Sequence, residues 1–181
     1  MLLATPICDF GWKAPDFTLK NTHGKGFTMS EQLGDKGLLI LFICNHCPYV
    51  QRIAPRLAED MQCLMDQGIN VLAIMSNDYQ LVEQDSPENM NKFSKQYGFT
   101  FPYLVDQTQS VGKQYKAVCT PDFFGFNSKG ELQYRGRLDD ANRGDASNRV
   151  PELVNAMRQI AATGKGPEKQ KTSMGCSIKW R

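Results

Sequence analysis

The sequence predicts an α/β fold in which helices flank a mixed β-sheet, and three features carry this prediction. A continuous apolar run at 37–43 is typical of a strand buried on both faces. A helical spacing of apolar residues follows it, and a second apolar run at 69–76 completes a strand–helix–strand unit. Turn residues at 127–130 join two strand-like segments, so an antiparallel hairpin should end the sheet.

The first half of the chain opens with a predicted hairpin. Segments 16–20 and 26–30 alternate in polarity, and "NTHGKG" between them has the composition of a turn. After the strand at 37–43, helical periodicity and a stop at Gly68 predict a long helix, with a kink expected at Pro55. The apolar residues that recur at spacings of three and four are Val50, Ile53, Leu57, Met61, Leu64 and Met65.

The second half alternates shorter helices and strands. Ser86 as N-cap, Pro87 as first helical residue and Gly98 as stop predict a helix over 86–98. Further strands are predicted at 101–106, 120–127 and 131–138, and further helices at 109–115 and 146–164, the last interrupted or started at Pro151.

Length and charge limit the classes of protein to which this chain can belong. The 181 residues suffice for one domain, predicted over 1–164, and the basic tail at 165–181 should dock in part through Ile178 and Trp180. A net charge of +2 favours neither nucleic acid nor a membrane as partner, and no apolar run reaches the about 18 residues of a transmembrane helix.

The first ten residues also bear on location. They lack a basic region and reach Pro6 before a signal-peptide core could form. The prediction is a cytoplasmic protein, in whose reducing surroundings most of the cysteines should be free thiols.

The motif Cys44-Asn45-His46-Cys47 breaks the apolar run and is the main functional signal among six cysteines. It admits three interpretations: half of a metal site, a structural pair, or a redox-active dithiol. Zinc takes four ligands, commonly as two pairs, and no second CxxC or HxxxH exists here. The redox dithiol is therefore favoured, without metal or organic cofactor.

The position of the motif supports redox chemistry. Cys44 follows the buried strand, and Cys47 is expected in the first turn of the next helix. A helix N-terminus stabilises a negative charge, so a thiolate there has a lowered pKa and is reactive. A protonated His46 would add to this effect.

Longer motifs resemble one family. "GWKAPDFTL" at 11–19 resembles the entry segment of the alkyl hydroperoxide reductase/thiol-specific antioxidant (AhpC/TSA) family. "FICNHCPYV", "NDYQLVEQDSPENM", "FPYLVDQTQ", "AVCTPDFFGF", "YRGRLDD" and "GCSIKW" resemble its peroxiredoxin-like members that carry a CxxC. The resemblance implies a thioredoxin fold with an N-terminal β-hairpin, in which Thr120 precedes a cis Pro121 that faces the CxxC.

The resemblance leaves the reaction open. The peroxiredoxin motif P-x-x-x-T-x-x-C, placed on Cys47, finds Ile40 and Cys44 where proline and threonine belong, and no arginine occurs from 57 to 134. The main hypothesis is a thiol–disulfide oxidoreductase that works with a thiol/disulfide protein or a thioredoxin-type reductant. The alternatives are a peroxidase acting through Cys47, and a redox sensor or binding module without turnover. Thioredoxin analogy makes Cys44 the nucleophile, and peroxiredoxin analogy makes it Cys47.

Two further cysteines are possible accessory thiols. Cys119 precedes the Thr120–Pro121 pair and is interpreted as a small core residue. Cys176 would resolve an oxidised Cys47 if the tail folded over the site. Arg135, Arg137 and the acidic pair at 139–140 are expected to form surface ion pairs.

Overall fold

The computed structural model describes residues 1–181. The helices are α1 (Met29–Gln32), α2 (Pro48–Asp66), α3 (Pro87–Tyr97), α4 (Ser110–Gln114) and α5 (Glu152–Thr163). The strands are β1 (Leu2–Ala4), β2 (Thr18–Asn21), β3 (Gly26–Thr28), β4 (Leu38–Phe42), β5 (Asn70–Met75), β6 (Tyr103–Val105), β7 (Cys119–Thr120), β8 (Asp122–Phe126), β9 (Leu132–Tyr134) and β10 (Met174–Ser177). A single 3-10 turn lies at Glu83–Asp85.

The main sheet is mixed, as predicted. Its seven strands follow the order β3-β2-β6-β5-β4-β8-β9. Strand β4 pairs in parallel with β5 and antiparallel with β8, so the strand that leads into the CxxC lies inside the sheet. The arrangement is the thioredoxin fold, and the predicted hairpin of β2 and β3 extends one edge of it.

Strand β4 is apolar throughout because both faces of the sheet are covered. Leu39 and Leu41 enter one core with residues of α2, α3 and α5, whereas Leu38 and Ile40 enter a second core with residues of α1 and α4. Alternate side chains of a strand point to opposite faces, so this strand anchors both layers. It holds the residues that follow it at a fixed depth in the molecule.

The predicted helix ends are confirmed where capping residues defined them. The Ser86 side chain accepts a hydrogen bond from the backbone N–H of Asn89 at 3.4 Å, and α3 ends at Gly98 with φ +70°. Helix α2 continues through Pro55 to Asp66, and the last helix begins directly after Pro151.

Two predicted strands are corrected by the structure. The segment 120–127 is divided into β7 and β8 at Pro121, which has no N–H to donate to a ladder. The segment 131–138 stops at Tyr134, because the next residue turns its side chain into a buried ion pair.

A second, three-stranded sheet brings the chain termini together in the order β1-β10-β7. Its terminal strands were not predicted, since three or four residues are too few for a periodic signal. Within the tail, β10 pairs with β7 through Cys176 opposite Thr120, and Ile178 is buried. The helices of the structure include none that combines the length and apolarity needed to cross a membrane.

Candidate active site

The CxxC motif occupies the junction between β4 and α2. Cys44 lies two residues beyond the end of β4, and Cys47 is the N-cap of α2, one residue before the predicted first turn. Pro48 is the first helical residue, where its fixed φ suits the helix and its missing N–H costs nothing. Both cysteines are completely buried, with 0% of each residue exposed.

Thr120 contacts both thiols. Its hydroxyl Oγ1 lies 3.2 Å from Cys44 Sγ, and its carbonyl oxygen lies 3.2 Å from Cys47 Sγ, which donates to it when protonated. The peptide bond between Thr120 and Pro121 is cis, as the resemblance predicts. Strand β7 therefore brings Thr120 against the dithiol, and the cis bond places Pro121 directly after it.

The two thiols differ in charge state. Hydrogen bonding from Cys44 is the main cause that lowers the pKa of Cys47, and it outweighs the desolvation that opposes it; the Thr120 hydroxyl, the Cys176 thiol and the Val50 N–H lower it further. Burial raises the pKa of Cys44 well above its usual range, and the hydrogen bond to Cys47 and the negative charge of Asp85 raise it further. The first charge of the reduced pair therefore resides on Cys47, at the positive end of α2.

A buried aspartate that sequence reasoning missed organises the CxxC turn. Asp85 is 0% exposed and accepts hydrogen bonds from the backbone N–H groups of Asn45 at 2.8 Å and His46 at 3.1 Å. It also accepts from His46 Nδ1 at 2.6 Å and Asn77 Nδ2 at 2.8 Å. The only signal in the sequence was its place inside the family motif "NDYQLVEQDSPENM", since a lone acid in a polar loop is otherwise unremarkable.

The two residues between the cysteines are held by this network. Asn45 is buried, donates to the carbonyl of Gln84 at 2.8 Å and accepts from the Tyr103 hydroxyl at 3.0 Å. His46 places Nδ1 at 3.6 Å from Cys44 Sγ while the same nitrogen bonds Asp85. Because Asp85 takes the Nδ1 hydrogen, that nitrogen cannot also serve as a base for Cys44 in this arrangement.

The same residues are the one group able to offer three metal ligands. Ligand atoms of Cys44, His46 and Asp85 all lie within 4.8 Å of one another. However, the separation of 2.6 Å between His46 Nδ1 and the carboxylate is that of a hydrogen bond, and no fourth ligand completes a zinc tetrahedron. A hydrogen-bonded chain accounts for the geometry, and a metal-free site stays our prediction.

The accessory thiols differ in position. Cys119 is fully buried, its Sγ lies 3.7 Å from the carbonyl oxygen of Pro121, and burial raises its pKa, as suits a core residue. Cys176 is partly exposed on β10, packs against the core cluster that contains Cys47, and has a pKa that Cys47 raises. Cys63 lies on α2 next to Gln67 and is not part of the site.

The expectation of surface ion pairs holds for Arg137, which pairs with partly exposed Glu152, but it is wrong for Arg135 and Asp139. Arg135 is buried and pairs with fully buried Asp122 at 2.9 Å, and Asp139 is buried between Arg56 and Arg149. The polarity of these side chains suggested solvent exposure, but bidentate and multiple partners allow them to be buried.

The fold and the paired thiols define a thioredoxin-fold protein with a buried CxxC site. The model of the AhpC/TSA family matches residues 10–135, and the chain belongs to this family. A crystal structure of an uncharacterised conserved protein from Geobacillus kaustophilus superposes with a TM-score of 0.93 at 38% identity, covering 100% of this chain and 97% of that one.

Two curated relatives carry names that bear on function. Thiol-disulfide oxidoreductase ResA of Geobacillus thermodenitrificans is 27% identical over 68% of this chain, and the match spans 66% of that relative, just under two thirds of its length. A candidate peroxiredoxin of Mycobacterium tuberculosis strain H37Rv is 23% identical over 85% of this chain and 87% of its own length. Both names are those of oxidoreductases.

Proposed function

We propose that this protein is a thiol–disulfide oxidoreductase that cycles Cys44 and Cys47 between dithiol and disulfide. The observation that carries the proposal is the junction itself, where two thiols flank a short turn at a helix N-terminus and both contact Thr120. This arrangement stabilises one thiolate and keeps a second thiol close enough to displace a bound partner. The relative named as a thiol-disulfide oxidoreductase supports it.

The charge distribution assigns roles to the two sulfurs. The Cys47 thiolate attacks a partner disulfide, which forms a mixed disulfide and releases one partner thiol. Cys44 then loses its proton and attacks Cys47 Sγ, which forms the Cys44–Cys47 disulfide and releases the second partner thiol. Two electrons pass to the partner, and a dithiol protein of the thioredoxin type would restore the pair. This assignment makes Cys47 the nucleophile, as the peroxiredoxin analogy predicts, and not Cys44, as the thioredoxin analogy predicts.

A peroxidase remains the alternative because a relative is named a candidate peroxiredoxin and the pKa of Cys47 is lowered. Against it, Ile40 and Cys44 stand where the peroxiredoxin motif has its proline and its threonine. The threonine that contacts the thiols is Thr120 on another strand, with its hydroxyl at Cys44 and its carbonyl oxygen at Cys47. Peroxide consumption with dithiothreitol as reductant tests this alternative directly.

The deciding experiment is insulin reduction driven by dithiothreitol. We expect turnover by the wild-type protein, loss of at least about tenfold in Cys44→Ser and in Cys47→Ser, and unchanged turnover in the control Cys63→Ser. Equal activity of all four proteins would overturn the proposal. A CxxC that is oxidised and reduced by glutathione without any turnover would instead indicate the redox sensor or binding module.

The reduction potential gives the direction of electron flow. A lowered pKa of Cys47 stabilises the reduced form, which makes the disulfide more oxidising. We expect a potential less negative than the about −270 mV of thioredoxin, measured by equilibration with glutathione.

A cytoplasmic location also stays a proposal, and cell fractionation with an antibody to this chain would test it.

A further inference from the structure

Burial of the CxxC poses a problem of access for any thiol exchange. Cys44 and Cys47 have no exposed surface, and Cys119 beside Thr120 has none either. A disulfide on another protein therefore reaches either sulfur of the pair only when the residues that cover it move, or through a third thiol. Among the thiols gathered at the site, only Cys176 reaches the surface.

We propose that Cys176 is a third redox-active thiol, which exchanges disulfides with Cys47 and passes them to partner thiols at the surface. This inference rests on the proposed function and gives that function a route from the buried pair to a partner.

The register of β10 places Cys176 at the point where a partner strand would bind. Cys176 lies opposite Thr120 in an antiparallel pairing, and the Thr120 carbonyl oxygen is 3.2 Å from Cys47 Sγ. An extended peptide that adds to a free strand edge gains main-chain hydrogen bonds and presents its side chains to the neighbouring site. Strand β10 makes these contacts with β7 within the chain, and so presents its own cysteine to Cys47.

The backbone of β10 is fitted closely to this position. A Cβ on Gly175 would lie 1.9 Å from the Thr120 carbonyl oxygen, so only glycine allows the strand to approach so near. Ser173 Oγ donates to the Pro121 carbonyl at 2.8 Å, and the backbone N–H of Lys179 donates to Asn77 Oδ1 at 2.8 Å. The strand is thus fixed on both sides of Cys176, and the thiol packs against the core cluster that contains Cys47.

The exchange balances without an external oxidant. Starting from the Cys44–Cys47 disulfide, the Cys176 thiolate attacks Cys47 Sγ. A Cys47–Cys176 bond forms, the Cys44–Cys47 bond breaks, and Cys44 takes up the proton that Cys176 lost. The product is a Cys47–Cys176 disulfide, in which the Cys176 residue is partly exposed.

A partner dithiol then completes the reaction at the surface. One of its thiolates attacks Cys176 Sγ and expels Cys47, which is the better leaving group because its thiolate is stabilised. The second partner thiol attacks the mixed disulfide, so the partner leaves oxidised and Cys176 returns to a thiol. Two electrons have then passed from the partner to the buried pair.

The charges around Cys176 suit a thiol that reacts only after Cys47 is oxidised. Burial raises the pKa of Cys176, the hydrogen bond and charge of Cys47 raise it further, and the positive charge of Lys179 lowers it. When Cys47 is part of a disulfide its negative charge is gone, and the lowering effect of Lys179 remains. Burial still raises the pKa of Cys176 in the oxidised protein, but loss of the Cys47 charge brings that pKa below its value in the reduced protein and makes the thiolate easier to form.

Trapping tests the contact. The full-length Cys44→Ser protein is treated with one equivalent of diamide, alkylated and mapped as unreduced peptides by mass spectrometry. We expect a Cys47–Cys176 peptide as the main product, and its absence from Cys44→Ser/Cys176→Ser. Recovery of Cys47 as an alkylated thiol, or its linkage to Cys119, would overturn the relay.

Kinetics test the role. Reduction of the oxidised CxxC by reduced thioredoxin is followed in the wild type, in Cys176→Ser and in Cys63→Ser, a partly exposed cysteine away from the site. We expect a loss of at least tenfold in Cys176→Ser and a rate equal to that of the wild type in Cys63→Ser. If the wild type turns over and Cys176→Ser matches it, the relay alone fails. If the trapped link forms but no protein disulfide is reduced, the proposed function fails and the relay with it.

Discussion

Asp85 offers the sharpest test of how the CxxC turn is held. Its carboxylate is fully buried and accepts four hydrogen bonds, two of them from the backbone of the CxxC itself. The substitution Asp85→Ala removes all four acceptor contacts. The His46 side chain is 22% exposed and can turn to water, but Asn45 and Asn77 are buried, and their donors and the His46 N–H lose their acceptor.

The expected loss follows from these donors. An unsatisfied buried donor costs about 1–3 kcal/mol, and removal of one partner from a buried charged pair costs about 3–5 kcal/mol. The three donors face the same space left by the carboxylate, and water can enter it. We therefore expect the free energy of unfolding to fall by about 3–5 kcal/mol, which is less than the sum of three separate penalties. With an unfolding entropy of about 2.1 cal/mol/K per residue, this corresponds to a fall in Tm of about 8–13 °C.

The pH dependence has a definite sign. Burial alone would raise the pKa of Asp85, but hydrogen bonds from His46 and Asn77 outweigh burial, and the pKa in the folded protein lies below its usual value. A lowered folded pKa stabilises the protein above the unfolded pKa of about 3.9, and the contribution is lost as pH falls through the folded value. The difference between wild type and Asp85→Ala should be constant from about pH 5 to 7 and should shrink below about pH 4.

The assay is urea unfolding at several pH values. Asp66→Ala is the matched control, because Asp66 is exposed and accepts a single hydrogen bond from Gln62. It should change the free energy of unfolding by no more than about 0.5 kcal/mol. A loss below about 1 kcal/mol in Asp85→Ala, or a deficit that persists at low pH, would refute the role given to the carboxylate.

Three further predictions concern the thiolate, the terminal sheet and the polar core. Absorbance at 240 nm should show a thiolate below pH 7 in the reduced wild type, and the same signal in Cys47→Ser would contradict the lowered pKa. Gly175→Ala should cost about 1–3 kcal/mol and speed amide exchange in β10, because its Cβ would overlap the paired strand. The control Gly26→Ala, with 4.0 Å to its nearest neighbour, should leave exchange in β10 unchanged. Arg135→Met should cost about 3–5 kcal/mol in thermal unfolding by leaving Asp122 buried without its partner, and a loss below about 1 kcal/mol would contradict this.

The sequence alone determined the fold and the location of the dithiol. Strand β4 and helix α2 have strong local patterns, and the CxxC falls at their junction whatever the rest of the chain does. The hairpin of β2 and β3 and the capped helix α3 were predicted for the same reason, since a few adjacent residues specify each. Short strands such as β1 and β10 carry no such pattern and exist only through their pairing.

Tertiary structure decided the chemistry of the site. Thr120 and Asp85 help to decide which sulfur carries the negative charge. Thr120 is 76 residues from Cys44 in the sequence, and Asp85 is 40 residues from Asn45. The burial of Arg135 and Asp139 likewise reversed the expectation of a surface patch, because their partners come from distant elements. Long-range contacts set the pKa values and the exposure of each thiol, and no local spacing encodes them. The sequence thus located two thiols, and only the folded chain placed a third, Cys176, between them and the surface.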